Sequence, residues 1–146
     1  MTGTPSRPAP WLIAAAALAL MQLAVGCAGP ERPIPPEPAT YELLSPQAAF
    51  QLLQSAPDLE VIDTSETFFL HRIPRALSYR VEEGHFELAL TRLDKQAAYL
   101  VYGLLGGDSE ASAQRMIDAG FEDVSALEGG IVAWLEAHLP FETSFG

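Results

Sequence analysis

The chain has 146 residues and a formal net charge of −11 at pH 7, so it can form one domain with a single hydrophobic core. Contacts to nucleic-acid phosphates need clustered lysine and arginine side chains, and this acidic chain is a poor candidate for them. We therefore expect no nucleic-acid partner. The only cysteine is Cys27, which excludes an internal disulfide bond.

The N-terminal stretch MTGTPSRPAPWLIAAAALALMQLAVGC has the features of an export signal. One arginine precedes an apolar run of about 15 residues, which is short for a membrane span of roughly 20. The run ends in LAVGC, which resembles a bacterial lipobox, whose cysteine becomes the lipidated mature N-terminus. We expect residues 1–26 to be a signal peptide and Cys27 to carry the lipid, palmitate included, that anchors the protein in the membrane. An uncleaved anchor and an ordinary signal peptide are the alternatives.

A proline-rich segment follows the cysteine. Residues 28–41 contain five prolines, and proline favours extended structure. This composition predicts that residues 27–40 are a semi-rigid tether for a domain formed by residues 41–146; a proline-rich ligand for a partner is the alternative. In lipoproteins the residue after the cysteine influences sorting. Ala28 rather than aspartate favours the outer membrane of a Gram-negative cell, on the periplasmic side.

The first part of the domain alternates short strand and helix patterns. Ser45 as N-cap and Pro46 as the first helical residue predict a helix over SPQAAFQLLQSA. LEVID (59–63) and ALSY (76–79) predict strands. EEGHFELALTRL (82–93) predicts a weak helix, because its apolar residues recur at helical spacing.

The second part continues the alternation. AYLVY (98–102) is apolar throughout, as in a strand covered on both faces. A helix is predicted from Ser109, with Gly120 as its stop. EDVSAL (122–127) predicts another strand, and GGIVAWLEAHL (129–139) a closing helix with a tryptophan in the core.

This alternation predicts a fold of the α/β class, a single domain with a parallel sheet of about five strands and helices on both faces. In such sheets, sites form at the carboxyl ends of the strands. The loop GLLGGDS, residues 103–109, follows a strand at that edge.

Several segments resemble the rhodanese-like sulfurtransferase domain. LEGGIVAWLEAHLP (127–140) is similar to the C-terminal signature of that family, LEVID to its strand ending in aspartate, here Asp63, and RIPRA to its His-Ile-Pro-Gly-Ala turn. The resemblance covers about 100 residues, 41–141. It implies the rhodanese-like fold and, in active members, a cysteine thiolate that takes sulfur from a donor such as thiosulfate.

The catalytic positions of the family are changed in this chain. The resemblance places the catalytic cysteine at Gly103, the following arginine at Leu104 and a later arginine of the loop at Asp108. It places a third arginine at Ser65 and the histidine of the turn at Arg72. The segment between Ser65 and the turn is also two residues shorter.

The resemblance therefore implies a vestigial active-site loop beside the family-matching Asp63. The loop comprises Gly103, Leu104, Leu105, Gly106, Gly107, Asp108 and Ser109. Ser109 has no neighbouring base that would make it a nucleophile. Asp108, as the expected N-cap, would oppose a bound anion. We expect no catalytic residue, no cofactor and no metal.

Two features are candidates for interaction. Leu104 and Leu105 form either an exposed contact surface for an unknown protein partner or a plug that fills the vacated pocket. Arg72 and Arg75 form a basic spot for an acidic partner or lipid head group, or they pair with nearby carboxylates, which we favour.

The sequence predicts a catalytically inactive rhodanese-like domain, anchored as a lipoprotein in the bacterial cell envelope and serving as a binding module. The alternative is a thiosulfate-type sulfurtransferase with residual or unconventional activity.

Overall fold

A computed structural model describes residues 39–65 and 71–143. The predicted signal peptide, Cys27 and all but the last two residues of the tether lie outside the described residues. Within the described residues, no helix has the length and apolar character needed to cross a membrane.

Short strands and helices alternate along the described chain. In chain order they are β1 (Glu42–Leu44), α1 (Pro46–Ser55), β2 (Glu60–Asp63), β3 (His71–Arg72), β4 (Leu77–Ser78), α2 (His85–Leu90), β5 (Ala98–Tyr102), α3 (Gly106–Asp118), β6 (Asp123–Leu127), α4 (Gly130–Glu136) and β7 (Glu142–Thr143).

Five of these strands form one parallel sheet in the order β1-β6-β5-β2-β4. The central pair aligns Val61 of β2 with Leu100 of β5, and Asp63 with Tyr102. β3 and β7 form a separate antiparallel pair. The predicted α/β fold with a five-stranded parallel sheet is confirmed.

The central strands β2, β5 and β6 are largely buried because helices cover both faces of the sheet. One core lies beneath α1 and α4, and the other beneath α2 and α3. Buried members of the first are Ala49, Leu59, Val61, Ile73, Ala76, Leu100, Tyr102, Leu127, Ile131 and Trp134. Buried members of the second are Ile62, Phe86, Leu90, Tyr99, Val101, Ala113, Met116, Phe121, Val124 and Ala126. Adjacent residues of β2 and β5 therefore face opposite helix layers.

The helix signals read from the sequence are present at α1. Ser45 is the N-cap of α1, and its hydroxyl accepts a hydrogen bond of 3.3 Å from the backbone N–H of Ala48. Pro46 is the first helical residue. Trp134 is fully buried, and its indole N–H donates to the carbonyl of Pro140 at 2.8 Å.

The main difference from the sequence prediction is the start of α3. The helix begins at Gly106, three residues before the predicted Ser109. Asp108, predicted as the N-cap, lies inside the first turn, and Leu105 is the N-cap. The Asp108 carboxylate accepts a 3.1 Å hydrogen bond from the backbone N–H of Leu105. This bond stabilises the extra turn, because a helix N-terminus has unpaired N–H groups that a side-chain acceptor can satisfy.

Candidate functional site

The predicted site loop lies at the carboxyl edge of the sheet. Gly103 follows the last residue of β5 directly, and α3 begins three residues later. The neighbouring strand β2 ends at Asp63, which is paired in register with Tyr102. The loop and Asp63 therefore lie at the ends of adjacent parallel strands, where the sequence predicted a site.

Backbone contacts with α4 fix the path of the loop. The carbonyl of Gly103 accepts from the N–H of Ile131 at 3.0 Å, and the carbonyl of Leu104 from the N–H of Val132 at 3.4 Å. Gly130 has a φ of +65°, and a Cβ there would lie 2.6–2.7 Å from these carbonyl oxygens. Glycine is therefore required at the first residue of α4, both for its backbone conformation and for this close approach.

Two backbone N–H groups of the loop are occupied by its own side chains. The N–H of Gly103 donates to Ser109 Oγ at 3.0 Å, and the N–H of Leu105 donates to Asp108. Ser109 is fully buried, and its hydroxyl in turn donates to the carbonyl of Leu105 at 3.3 Å. These bonds remove two donors that an anion bound at the helix N-terminus would need.

Gly103 has no room for a side chain. A Cβ at this position would clash with Asp108 Cβ and would lie 3.1 Å from the backbone carbonyl carbon of Asp108. Such contacts are too short for carbon atoms, so either the loop or the first turn of α3 would have to move.

A cleft of about 390 Å³ lies beside the loop. The residues that line it come from the end of β2, the segment before α2, the loop and one side of α3. They are Thr64, Ser65, Val81, Leu104, Asp108, Ala111, Ser112 and Arg115. The cleft has the size of a small ligand site and a mixed polar and apolar lining.

Hydrogen bonds within the protein organise the polar groups around the cleft. Asp63 is largely buried, and it accepts from the N–H of Ser65 at 2.8 Å and from the Ser65 hydroxyl at 2.6 Å. The Tyr102 hydroxyl accepts from the N–H of Ile73 at 3.2 Å. Burial, followed by the Asp63 carboxylate, raises the pKa of Tyr102 above its ordinary value. Tyr102 is therefore a neutral structural group at neutral pH.

The two leucines of the loop have different surroundings. Leu104 is half-buried, packs against the core beneath α1 and α4, and also lines the cleft. Leu105 is 55% exposed. Leu104 thus has the contacts expected of a partial plug, whereas Leu105 is accessible at the surface.

The arginines of the predicted basic spot are engaged within the protein. Arg72 pairs with Glu142 at 3.3 Å. Arg75 donates to the carbonyls of Pro57 at 2.8 Å and Leu53 at 3.3 Å, next to the end of α1. Arg72 therefore pairs with a carboxylate, as we favoured, and Arg75 binds backbone carbonyls instead.

The structure adds two features that the sequence did not predict as site components. Thr64 and Ser112 form a buried hydroxyl pair 2.9 Å apart at the cleft. Arg115 also lines the cleft and pairs with Glu87 at 2.8 Å. Ser112 lies on α3 six positions after Gly106, and no local sequence pattern marks it as a site residue until the position of α3 over the sheet is known. No group of three or more metal-binding side chains occurs in residues 39–65 and 71–143.

Comparison with known proteins identifies the family. The family model for the rhodanese-like domain matches residues 45–137, which is most of the folded region. The thiosulfate sulfurtransferase GlpE of Glaesserella parasuis is 25% identical over 107 residues, which cover 73% of this chain and 97% of the relative. The family resemblance seen in the sequence is confirmed.

Solved structures agree with the fold. The crystal structure of the Alr3790 protein from Anabaena sp. superposes with a TM-score of 0.62 at 25% identity, covering 70% of this chain and 82% of that one. The solution structure of the polysulfide-sulfur transferase homodimer from Wolinella succinogenes has a TM-score of 0.58 at 24% identity, covering 72% and 81%. At this identity the second likeness concerns the fold alone.

The crowding at Gly103 predicts coupling with Asp108. We expect Gly103→Ala to lower the free energy of unfolding by about 1–3 kcal/mol, because the new methyl group overpacks the loop. Asp108→Gly removes the clashing Cβ, so the double variant should recover about 1 kcal/mol or more relative to additivity. Urea unfolding of the four proteins of this double-mutant cycle measures the coupling.

Asp108→Ala is the matched control for this cycle. It removes the same carboxylate but keeps the Cβ, so its coupling to Gly103→Ala should be smaller. Equal coupling for the glycine and alanine variants would contradict the steric explanation.

Proposed function

Since this chain belongs to the rhodanese-like domain family, we propose that it is a catalytically inactive member that serves as a binding module. One observation carries the proposal. The residue after β5, where the family resemblance places the sulfur-carrying cysteine, is Gly103, and the only cysteine of the chain is Cys27. Sulfur transfer of this type needs a thiolate that becomes a persulfide, and a hydroxyl group does not provide one.

The packing of the loop supports this proposal. The Cβ of a cysteine at position 103 would overlap the first turn of α3. Asp108 therefore occupies the volume that a side chain at position 103 would need. A single reverse substitution would not restore a reactive thiolate.

The charges around the cleft also support it. Where the resemblance places two arginines of the loop, this chain has Leu104 and Asp108. The N–H groups of Gly103 and Leu105 are bonded to side chains of the loop itself. An anion such as thiosulfate would meet a carboxylate rather than a ring of donors, which disfavours its binding.

We place this module at a membrane by a lipid on Cys27. The apolar run, the stretch LAVGC and the proline-rich segment together support export, lipidation and a short tether. The domain would then lie on the periplasmic side of the envelope, at the outer membrane in a Gram-negative cell. Its accessible Leu105, beside the cleft, is a candidate contact for a protein partner.

The first test separates this function from residual sulfurtransferase activity, the alternative that the similarity to a thiosulfate sulfurtransferase favours. We expect the full chain to produce no thiocyanate from thiosulfate and cyanide above the level of a buffer blank. Gly103→Cys should also remain inactive, because the loop arginines are absent and the site is crowded. A Cys27→Ser variant controls for chemistry at the N-terminal thiol. Turnover that persists in Cys27→Ser would refute the proposal.

The second test concerns the lipid anchor. We expect cells grown with labelled palmitate to incorporate the label into the wild-type protein and not into Cys27→Ser, because the cysteine sulfur is the atom to which the lipid is attached. In membrane fractionation, the Cys27→Ser variant should be absent from the fraction that contains lipid-anchored proteins. Incorporation of label into Cys27→Ser, or none into the wild type, would contradict lipidation at this residue.

The third test concerns the partner. In-cell cross-linking and mass spectrometry should detect a partner with the wild type and lose it with Leu105→Ser, because the substitution removes an exposed apolar contact. Leu88→Ser is the matched control, since Leu88 is 49% exposed on α2. Leu104 is excluded from the variant because it also packs in the core. Identical cross-links in wild type and Leu105→Ser would argue against a contact there.

A further inference from the structure

We propose that the cleft beside the loop binds a cationic side chain, lysine or arginine, presented by a protein partner. This inference rests on the proposed function, since it specifies the ligand chemistry of a site that binds rather than catalyses. The family resemblance implies an anion at this edge of the sheet. The hydrogen bonds around the cleft favour the opposite charge.

The hydroxyl groups of Thr64, Ser65 and Ser112, which line the cleft, have acceptor capacity but no free hydrogen. Thr64 donates its hydroxyl hydrogen to the carbonyl of Tyr102 at 3.1 Å, so Ser112 is left as the donor in the 2.9 Å contact between the two hydroxyls. Ser65 donates its hydrogen to Asp63. A hydroxyl has one hydrogen and two acceptor lone pairs. Each of these side chains therefore has acceptor capacity left and no hydrogen left.

The loop contributes a carboxylate to the lining of the cleft. The N–H groups of Gly103 and Leu105 are already used within the loop. Asp108 bonds Leu105 through Oδ2, and its Oδ1 makes no hydrogen bond to any other described residue. This second oxygen belongs to an exposed side chain that lines the cleft. A ligand that donates hydrogen bonds and carries positive charge is the complement of such a lining.

The one cationic group of the lining does not reverse this charge. Arg115 is paired with Glu87 at 2.8 Å, so the two charges offset each other. Asp108 and, behind Ser65, Asp63 then make the surroundings of the cleft negative. The net charge of the whole chain, −11, adds to the attraction for a cation.

The apolar part of the lining favours a long side chain over a small inorganic cation. Leu104, Val81 and Ala111 line the cleft, and lysine and arginine pack their methylene stems on apolar surface while the charged head binds polar groups. Leu105 gives an exposed apolar neighbour in the same loop. A basic residue flanked by apolar residues in a partner segment satisfies both requirements.

The test measures peptide binding to the isotope-labelled full chain in detergent micelles by NMR. The probe is the capped pentapeptide ALRLA, and the matched control peptide is ALELA. Thiosulfate is the third probe. We expect ALRLA to shift the backbone amide signals of Leu105, Asp108 and Ser112. ALELA and thiosulfate should leave these signals in place.

Two variants test which charged side chains of the cleft affect the affinity for ALRLA. Asp108→Asn keeps the Cβ and an oxygen that accepts from Leu105, so it removes the charge while preserving the loop; ALRLA should bind about two- to fivefold more weakly, as for an exposed ion pair. Arg115→Gln should bind ALRLA at least as tightly, because Glu87 becomes uncompensated. Added salt should weaken binding to the wild type, a readout that needs no variant.

Several results would overturn the inference. They are no shift with ALRLA, equal shifts with ALELA or thiosulfate, or unchanged affinity in Asp108→Asn. Failure here is distinguishable from failure of the proposed function. Thiocyanate production would refute the inactive binding module itself. A chain that turns over no thiosulfate and keeps a Leu105-dependent cross-link, but ignores ALRLA, would refute only the cationic ligand.

Discussion

The backbone contact between the loop after β5 and the first turn of α4 determines the geometry of the candidate site. The carbonyls of Gly103 and Leu104 accept the N–H groups of Ile131 and Val132. A helix N-terminus has N–H groups without intrahelical partners, and here the loop supplies the acceptors. The contact is possible because Gly130 has no side chain to separate the two segments. The loop is thereby held against α4, and these two carbonyls are already engaged there.

The same path brings the start of α3 over Gly103. Asp108 occupies the volume that a side chain at position 103 would need, and its carboxylate is bonded to Leu105. Ser109 then holds the N–H of Gly103. Side chains of the loop itself therefore hold its backbone in place. One of them is the Asp108 carboxylate, which gives the loop its negative charge. The absence of a side chain at position 103 and the placement of the Asp108 carboxylate on the loop therefore belong to one local packing arrangement.

The sequence predicted the sheet and both helix layers because their signals are local. Ser45 and Pro46 mark a helix start, and the apolar run of β5 marks a strand covered on both faces. The early start of α3 was not predicted, because the two glycines Gly106 and Gly107 read as a loop and the bond from Leu105 to Asp108 is visible only in three dimensions. The strand β1 was missed because it is three residues long and mostly exposed. The buried pair of hydroxyls at the cleft joins residues 48 positions apart, which no local pattern reveals.

Tyr41, the residue that follows the predicted tether, contacts the helix that lines the cleft. The hydroxyl of Tyr41 donates to Glu110 of α3 at 3.2 Å, and the next residue of that helix, Ala111, lines the cleft. If the chain is anchored through Cys27 and the predicted tether, residues 27–40, is extended, its 14 residues at roughly 3 Å each keep the domain within about 40 Å of the lipid. An acidic domain is repelled by an anionic membrane surface at short range. Arg72 and Arg75 are already bonded within the protein, so these two side chains give little attraction to lipid head groups. The lipid would then set only the location, and a partner within reach of the tether would be recognised by the cleft.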